Sequence, residues 1–132
     1  MLEITKNLET GIPIVDKQHR ELVSQLNALT GSVKNSADLE KTLKFLGEYV
    51  VMHFKTEVDL MTKCNYPAGG LHDVQHELFV EKFLAFKDRF EREKFSEGLL
   101  DELHKFLLNW LVNHIKVSDV AFGNFYCGVK SI

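Results

Sequence analysis

The sequence predicts an all-α fold: an up-down-up-down antiparallel four-helix bundle with an extended N-terminal arm. Three observations carry this expectation. Apolar residues recur at steps of three and four along four long segments. Alternating strand patterns are weak throughout. The connections between segments are short, which favours antiparallel neighbours. The 132 residues suit one domain, and 45% hydrophobic content with ten Phe and only two Pro supports a core that needs no disulfides. The expected layout is an arm over residues 1–15, a bundle over 16–127 and a tail over 128–132.

The first helix is expected from about Lys17 to Val33, with Asp16 as a candidate cap. Its stripe is Leu22, Val23, Leu26, Leu29 and Val33, with His19 at the start. The second runs from about Asp38 to Lys63 on a seam of Leu39, Leu43, Leu46, Val50, His53, Glu57 and Leu60. A loop over Asn65 to Gly70 follows, punctuated by Pro67 and two glycines. The third helix, about Leu71 to Glu93, turns His72, His76, Phe79, Phe83, Phe86 and Phe90 inward. The fourth, about Glu97 to Phe122, has Ser96 as its cap and Leu99, Leu103, Phe106, Trp110, His114 and Val117 inward.

Composition removes several function classes. The net charge of -3 provides no excess of cations for a phosphate backbone, so a nucleic-acid partner is not expected. No apolar run reaches membrane-spanning length. The start, Met1-Leu2-Glu3-Ile4, lacks the basic region of a signal peptide, so the expected location is cytoplasmic. Cys64 and Cys127 form no C-x-x-C pair and read as incidental reduced thiols.

The chemistry lies in the histidines. Of six, five (His19, His53, His72, His76 and His114) occupy inward stripes, where apolar residues are expected. Burying one unpaired imidazole costs several kcal/mol, or about as much as a core substitution can destabilise a domain. A single core His finds a local partner; five of them with carboxylates need a common one, and a metal centre serves. His53 and Glu57 are four apart, as are His72 and His76, so each pair shares a helix face. His114 and Asp119 are five apart. This set exceeds the four ligands of a tetrahedral zinc site and suits two octahedral metals, with iron a good match to imidazole and carboxylate. His104 falls outside the set and reads as a surface or supporting residue.

The ordered set of His19, His53-Phe-x-x-Glu57, His72-x-x-x-His76 and His114-Ile-x-x-x-Asp119 resembles the hemerythrin family in its bacterial form. Asp16-Lys17-Gln18-His19 and Tyr66-Pro67 add to the resemblance, which covers nearly the whole chain. One departure stands out: many bacterial relatives carry a Trp in the arm, and the only Trp here is Trp110. The resemblance implies two Fe ions per chain. His72, His76 and His114 would hold one, His19 and His53 the other, and Glu57 and Asp119 would bridge them. Dioxygen would bind at the open position of the second iron. Phe54, Trp110, Leu111 and Ile115 resemble the family's apolar oxygen pocket. The implied function is reversible dioxygen binding for storage, delivery or scavenging, without enzymatic activity. Two alternatives stay open: an oxygen- or redox-sensing module that signals to a partner, and a di-iron enzyme acting on peroxide or nitric oxide.

Overall fold

The computed structural model describes the backbone of residues 6–130 and the side chains of residues 7–128. The outermost parts of the expected arm and tail, residues 1–5 and 131–132, lie outside the described residues. A 3-10 turn at Lys6–Leu8 leads into α1 (Pro13–Leu29), α2 (Ser36–Cys64), α3 (Gly69–Glu93) and α4 (Glu97–Asn113). A π turn (His114–Asp119) and α5 (Val120–Lys130) complete the chain.

The caps differ from the expectation at one helix. Helix α1 starts at Pro13, where a missing N–H costs nothing. Asp16 therefore lies inside the first turn and does not cap it. Its carboxylate accepts hydrogen bonds from the Thr10 N–H (2.8 Å), the Thr10 hydroxyl (2.7 Å) and the Gly11 N–H (3.2 Å). Gly11, at φ 81°, makes the turn that brings these donors round. The inner part of the arm is thus a tied strap. Helix α1 also stops at Leu29, short of Val33, although Val33 is still buried.

The other caps follow the sequence more closely. Asn35 caps α2 by accepting from the Asp38 N–H, and Ser96 caps α4 by accepting from the Leu99 N–H. Asn65, left-handed at φ 54°, ends α2 with its N–H on the Met61 and Thr62 carbonyls. Gly69 and Gly70, expected in the loop, already belong to α3.

Helix α1 packs on α2 and α4, and α3 packs on the same two. One apolar cluster includes Leu26, Leu39, Leu46, Phe83, Leu103 and Leu111. A smaller one joins Ile12, Val15, Met61 and Phe122. Met61 is buried in place of the expected Leu60, because a straight helix drifts off a strict seven-residue repeat. Along α1, α2 and the π turn the histidines and carboxylates lie between these two clusters.

The strap also crosses α5. A Cβ placed on Gly123 would sit 2.8 Å from the Thr10 carbonyl carbon and closer still to its oxygen. Backbone cannot yield as a flexible side chain would, so Gly123→Ala is expected to destabilise the protein by about 1–3 kcal/mol. Thermal unfolding followed by circular dichroism would measure this; an unchanged midpoint would mean that strap and helix separate freely. Among the described residues, no helix is long and apolar enough to cross a membrane.

Candidate metal centre

Four segments of the bundle contribute to one buried cluster. Helix α1 supplies His19, α2 supplies His53 and Glu57, α3 supplies His72 and His76, and the π turn supplies His114 and Asp119. His19, Glu57 and Asp119 have no exposed surface. Asp119 Oδ1 lies 2.8 Å from His72 Nε2 and 3.0 Å from His114 Nε2, while Oδ2 lies 2.9 Å from His19 Nε2. Glu57 Oε1 lies 3.1 Å from His53 Nε2 and 3.4 Å from His76 Nε2, and Oε2 lies 3.6 Å from His72 Nε2.

The π turn solves the one awkward spacing. In an α-helix, residues five apart diverge by about 140°. Here the Val120 N–H reaches the Ile115 carbonyl five residues back. The wider turn returns Asp119 to the face of His114. The same widening turns Val117 outward, 67% exposed, where α-helical period had placed it inward.

Short distances do not make these contacts hydrogen bonds. Both nitrogens of His19, both oxygens of Glu57 and of Asp119, and His72 Nε2 are buried with no hydrogen-bond partner in acceptable geometry. His76 Nε2 and His114 Nε2 face one another at 3.2 Å. Buried atoms left without a partner, like those of His19, Glu57, Asp119 and His72, are rare in proteins. They fit lone pairs aimed at shared centres instead of at each other. Two groups of possible ligand atoms converge: Glu57, His72, His76, His114 and Asp119 in one, and His19, His53, Glu57 and Asp119 in the other. Glu57 and Asp119 belong to both.

The electrostatics keep both carboxylates anionic. Burial and the Asp119 charge push the Glu57 carboxyl up, but His53, His72 and His76 outweigh them and bring it down to about 2. Burial likewise opposes ionisation of Asp119, yet His114, His19 and His72 hold it well below the usual carboxylate range. Burial pushes His76 down. Burial also opposes a charge on His72, but Asp119 and Glu57 raise it to about 9. The metal-free protein therefore carries a proton on His72 at neutral pH, and a metal must displace it. Metal uptake at pH 7 is expected to release that proton. Apparent affinity should rise about tenfold per pH unit up to about 9 and then level off. Calorimetric titrations in buffers of different ionisation enthalpy would count the protons; none released would contradict the assignment.

A family model described as the hemerythrin HHE cation binding domain matches residues 10–123, a span that contains all seven residues of the cluster. The chain belongs to the hemerythrin family. It is 31% identical over 120 residues to a bacteriohemerythrin of Stenotrophomonas maltophilia, covering 89% of this chain and 76% of that protein. It is 34% identical over 108 residues to a hemerythrin-like protein of Naegleria gruberi, covering 82% and 79%. A crystal structure of wild-type hemerythrin superposes with a TM-score of 0.84 at 28% identity, over 96% of this chain and 97% of that one. Family, fold and cluster together support oxygen binding at a di-iron site.

An apolar cavity of about 30 Å³ adjoins the hemerythrin cluster. His53, His114 and Asp119 reach it, and Phe54, Trp110 and Leu111 line it. Ile115 does not line it: one residue past His114 its side chain leaves on another face and packs into the main core. Phe54 stacks on His76 at 3.7 Å and Trp110 on His114 at 4.4 Å, fixing both imidazole planes.

Sequence reasoning missed two supporting glutamines. Gln18 Oε1 accepts from His53 Nδ1 at 2.7 Å, while its amide donates to the Thr56 hydroxyl. Gln75 Oε1 accepts from His114 Nδ1 at 2.9 Å and from the Ser118 hydroxyl at 2.6 Å. Each holds its imidazole with the proton on Nδ1 and the Nε2 lone pair free for the cluster. The available signal was position: each glutamine directly precedes a cluster histidine, His19 or His76. His104 is half-buried and stands apart from the cluster.

Proposed function

We propose that this chain, acting as one domain, binds dioxygen reversibly at a centre of two iron ions, for storage, delivery or scavenging. His72, His76 and His114 would hold one ion and His19 and His53 the other, with Glu57 and Asp119 shared. The observation that carries this reading is the pair of overlapping ligand groups, unequal in histidines, beside an apolar cavity. Bound iron would supply the electrons for reversible oxygenation. The chain's own residues do the rest. Gln18 and Gln75 orient imidazoles, two carboxylates offset the cationic charge, and apolar walls exclude water and stray protons. A cavity of about 30 Å³ has room for a diatomic molecule, since a single water needs about 10–15 Å³ on the same measure.

A carrier fits this site better than an enzyme. The polar residues lining the cavity all belong to the cluster itself, so no separate acid stands ready to deliver a proton. A sensor that signals through an exposed C-terminal apolar patch has little support here. Phe122 is fully buried, and Phe125 and Tyr126 are half-buried, Phe125 against Tyr66 and Tyr126 against Phe122. The proposed setting is cytoplasmic, with dioxygen as the ligand and no nucleic-acid partner.

Visible spectra of the anaerobically reduced, iron-loaded protein provide the test, taken before oxygen, after oxygen and after its removal. A band that appears with oxygen and fades on its removal is expected. Irreversible conversion to a stable oxidised spectrum would overturn the carrier reading in favour of redox sensing or peroxide chemistry.

A further inference from the structure

The walls of the cavity are unequal. Leu22, Leu26, Leu46, Val50, Phe79 and Leu107 are buried, as are the cluster residues and apolar neighbours that complete the lining. Trp110 is the single lining residue that is partly exposed. On its outer side lies a surface groove of about 510 Å³ between α3, α4 and the π turn. Trp110 and His114 line both the groove and the cavity. The other groove residues include Gln75, Asn113, Val117 and Ser118, none of which reaches the cavity. The indole is therefore the partition between solvent and the space beside the proposed metals. His114, the other shared residue, is held by Gln75 and by the cluster.

We infer that Trp110 is the gate through which a small apolar ligand passes between the outer groove and the cavity. This rests on the proposed dioxygen binding for its ligand, but not for its geometry. The indole is held by contacts that can be exchanged without unfolding the bundle. It stacks on His114 at 4.4 Å and 15°, and leans on Phe79 at 4.4 Å and 47°. Rotating the side chain exchanges these two ring contacts and a looser one with Phe54 at 5.9 Å, and opens the wall on its exposed side. The buried walls offer no equivalent, since moving them means displacing core packing. The exposed Val117, a consequence of the π turn, borders the groove without touching the cavity. It offers a way to obstruct the same route from outside.

A gate governs rates in both directions. In stopped-flow measurements on iron-loaded protein, Trp110→Ala is expected to raise dioxygen association and dissociation rates together, each by about tenfold. Trp110→Phe, which keeps a ring in place and guards against a folding defect, should fall between. Val117→Trp, a surface change, should slow both rates. Faster dissociation alone would make Trp110 part of the binding wall and overturn the gate. Unchanged rates in the Ala and Val117 variants would overturn it too, by sending the ligand through another wall. Exchange of xenon with the cavity, followed by xenon NMR on the same variants, needs no oxygen chemistry. It should quicken in Trp110→Ala and slow in Val117→Trp even if reversible oxygenation fails. Xenon exchange that ignores both substitutions would overturn the gate whatever the oxygen spectra show.

Discussion

Asp119→Asn is expected to cut the metal content of the purified protein by about half or more, with the helical fold retained. Asp119 has no exposed surface, and its oxygens lie 2.8–3.0 Å from nitrogens of His19, His72 and His114. It belongs to both convergent ligand groups, so its loss is felt at both. Asparagine has nearly the same shape, so packing survives. What changes is charge and donor type: one anionic oxygen becomes an amide N–H₂ facing imidazole nitrogens. Removing one partner from a buried charged set costs about 3–5 kcal/mol, which corresponds to hundreds-fold or more in binding. In the metal-free protein the same substitution takes from His72 the neighbour that most raises its pKa, so its proton should be lost more easily. Elemental analysis after desalting, paired with circular dichroism, checks the prediction. Full metal content in the variant would remove Asp119 from the ligand set.

Stripping the metal with a chelator is the second large effect, and it acts on stability. Without a metal, the orphaned atoms of His19, Glu57, His72 and Asp119 remain buried and unsatisfied. Metal bound at about a thousand times its dissociation constant adds about 4 kcal/mol to folding. For a domain of this length that corresponds to a drop in Tm of about 10–20 °C on removal. The stripped chain should stay helical, because apolar clusters flank the site on both sides. Readdition should restore the higher Tm. Equal melting temperatures with and without chelator would mean that the cluster holds no metal tightly.

Much of this is legible in the sequence. The three-and-four spacing of Leu39, Leu43, Leu46, Val50 and their counterparts foretold the helices, because that period is a local property of the chain. His53 with Glu57, and His72 with His76, share a face for the same reason: residues four apart on an α-helix point the same way. The boundaries were less legible. Asp16 looks like a helix cap, but the strap supplies the donors that claim its carboxylate, and α1 begins earlier, at Pro13. Val117 fits an α-helical stripe and is exposed, because no residue type in His114–Asp119 announces a π turn. Ile115 is next to a cluster histidine in sequence, yet it packs into the main core and is not among the cavity-lining residues.

An all-α bundle and the polar residues that interrupt its seams follow from the chain's periodicity and from the cost of burying unpaired groups. Tertiary structure decided which of those residues meet. It divided them into two groups that share Glu57 and Asp119, recruited Gln18 and Gln75 across helices, and left Trp110 as the partly exposed wall of the cavity. The physical reason is range. A helical period is written in residues three or four apart, whereas the distances between Gln18 and His53, or between Gln75 and His114, come into being only when the helices pack.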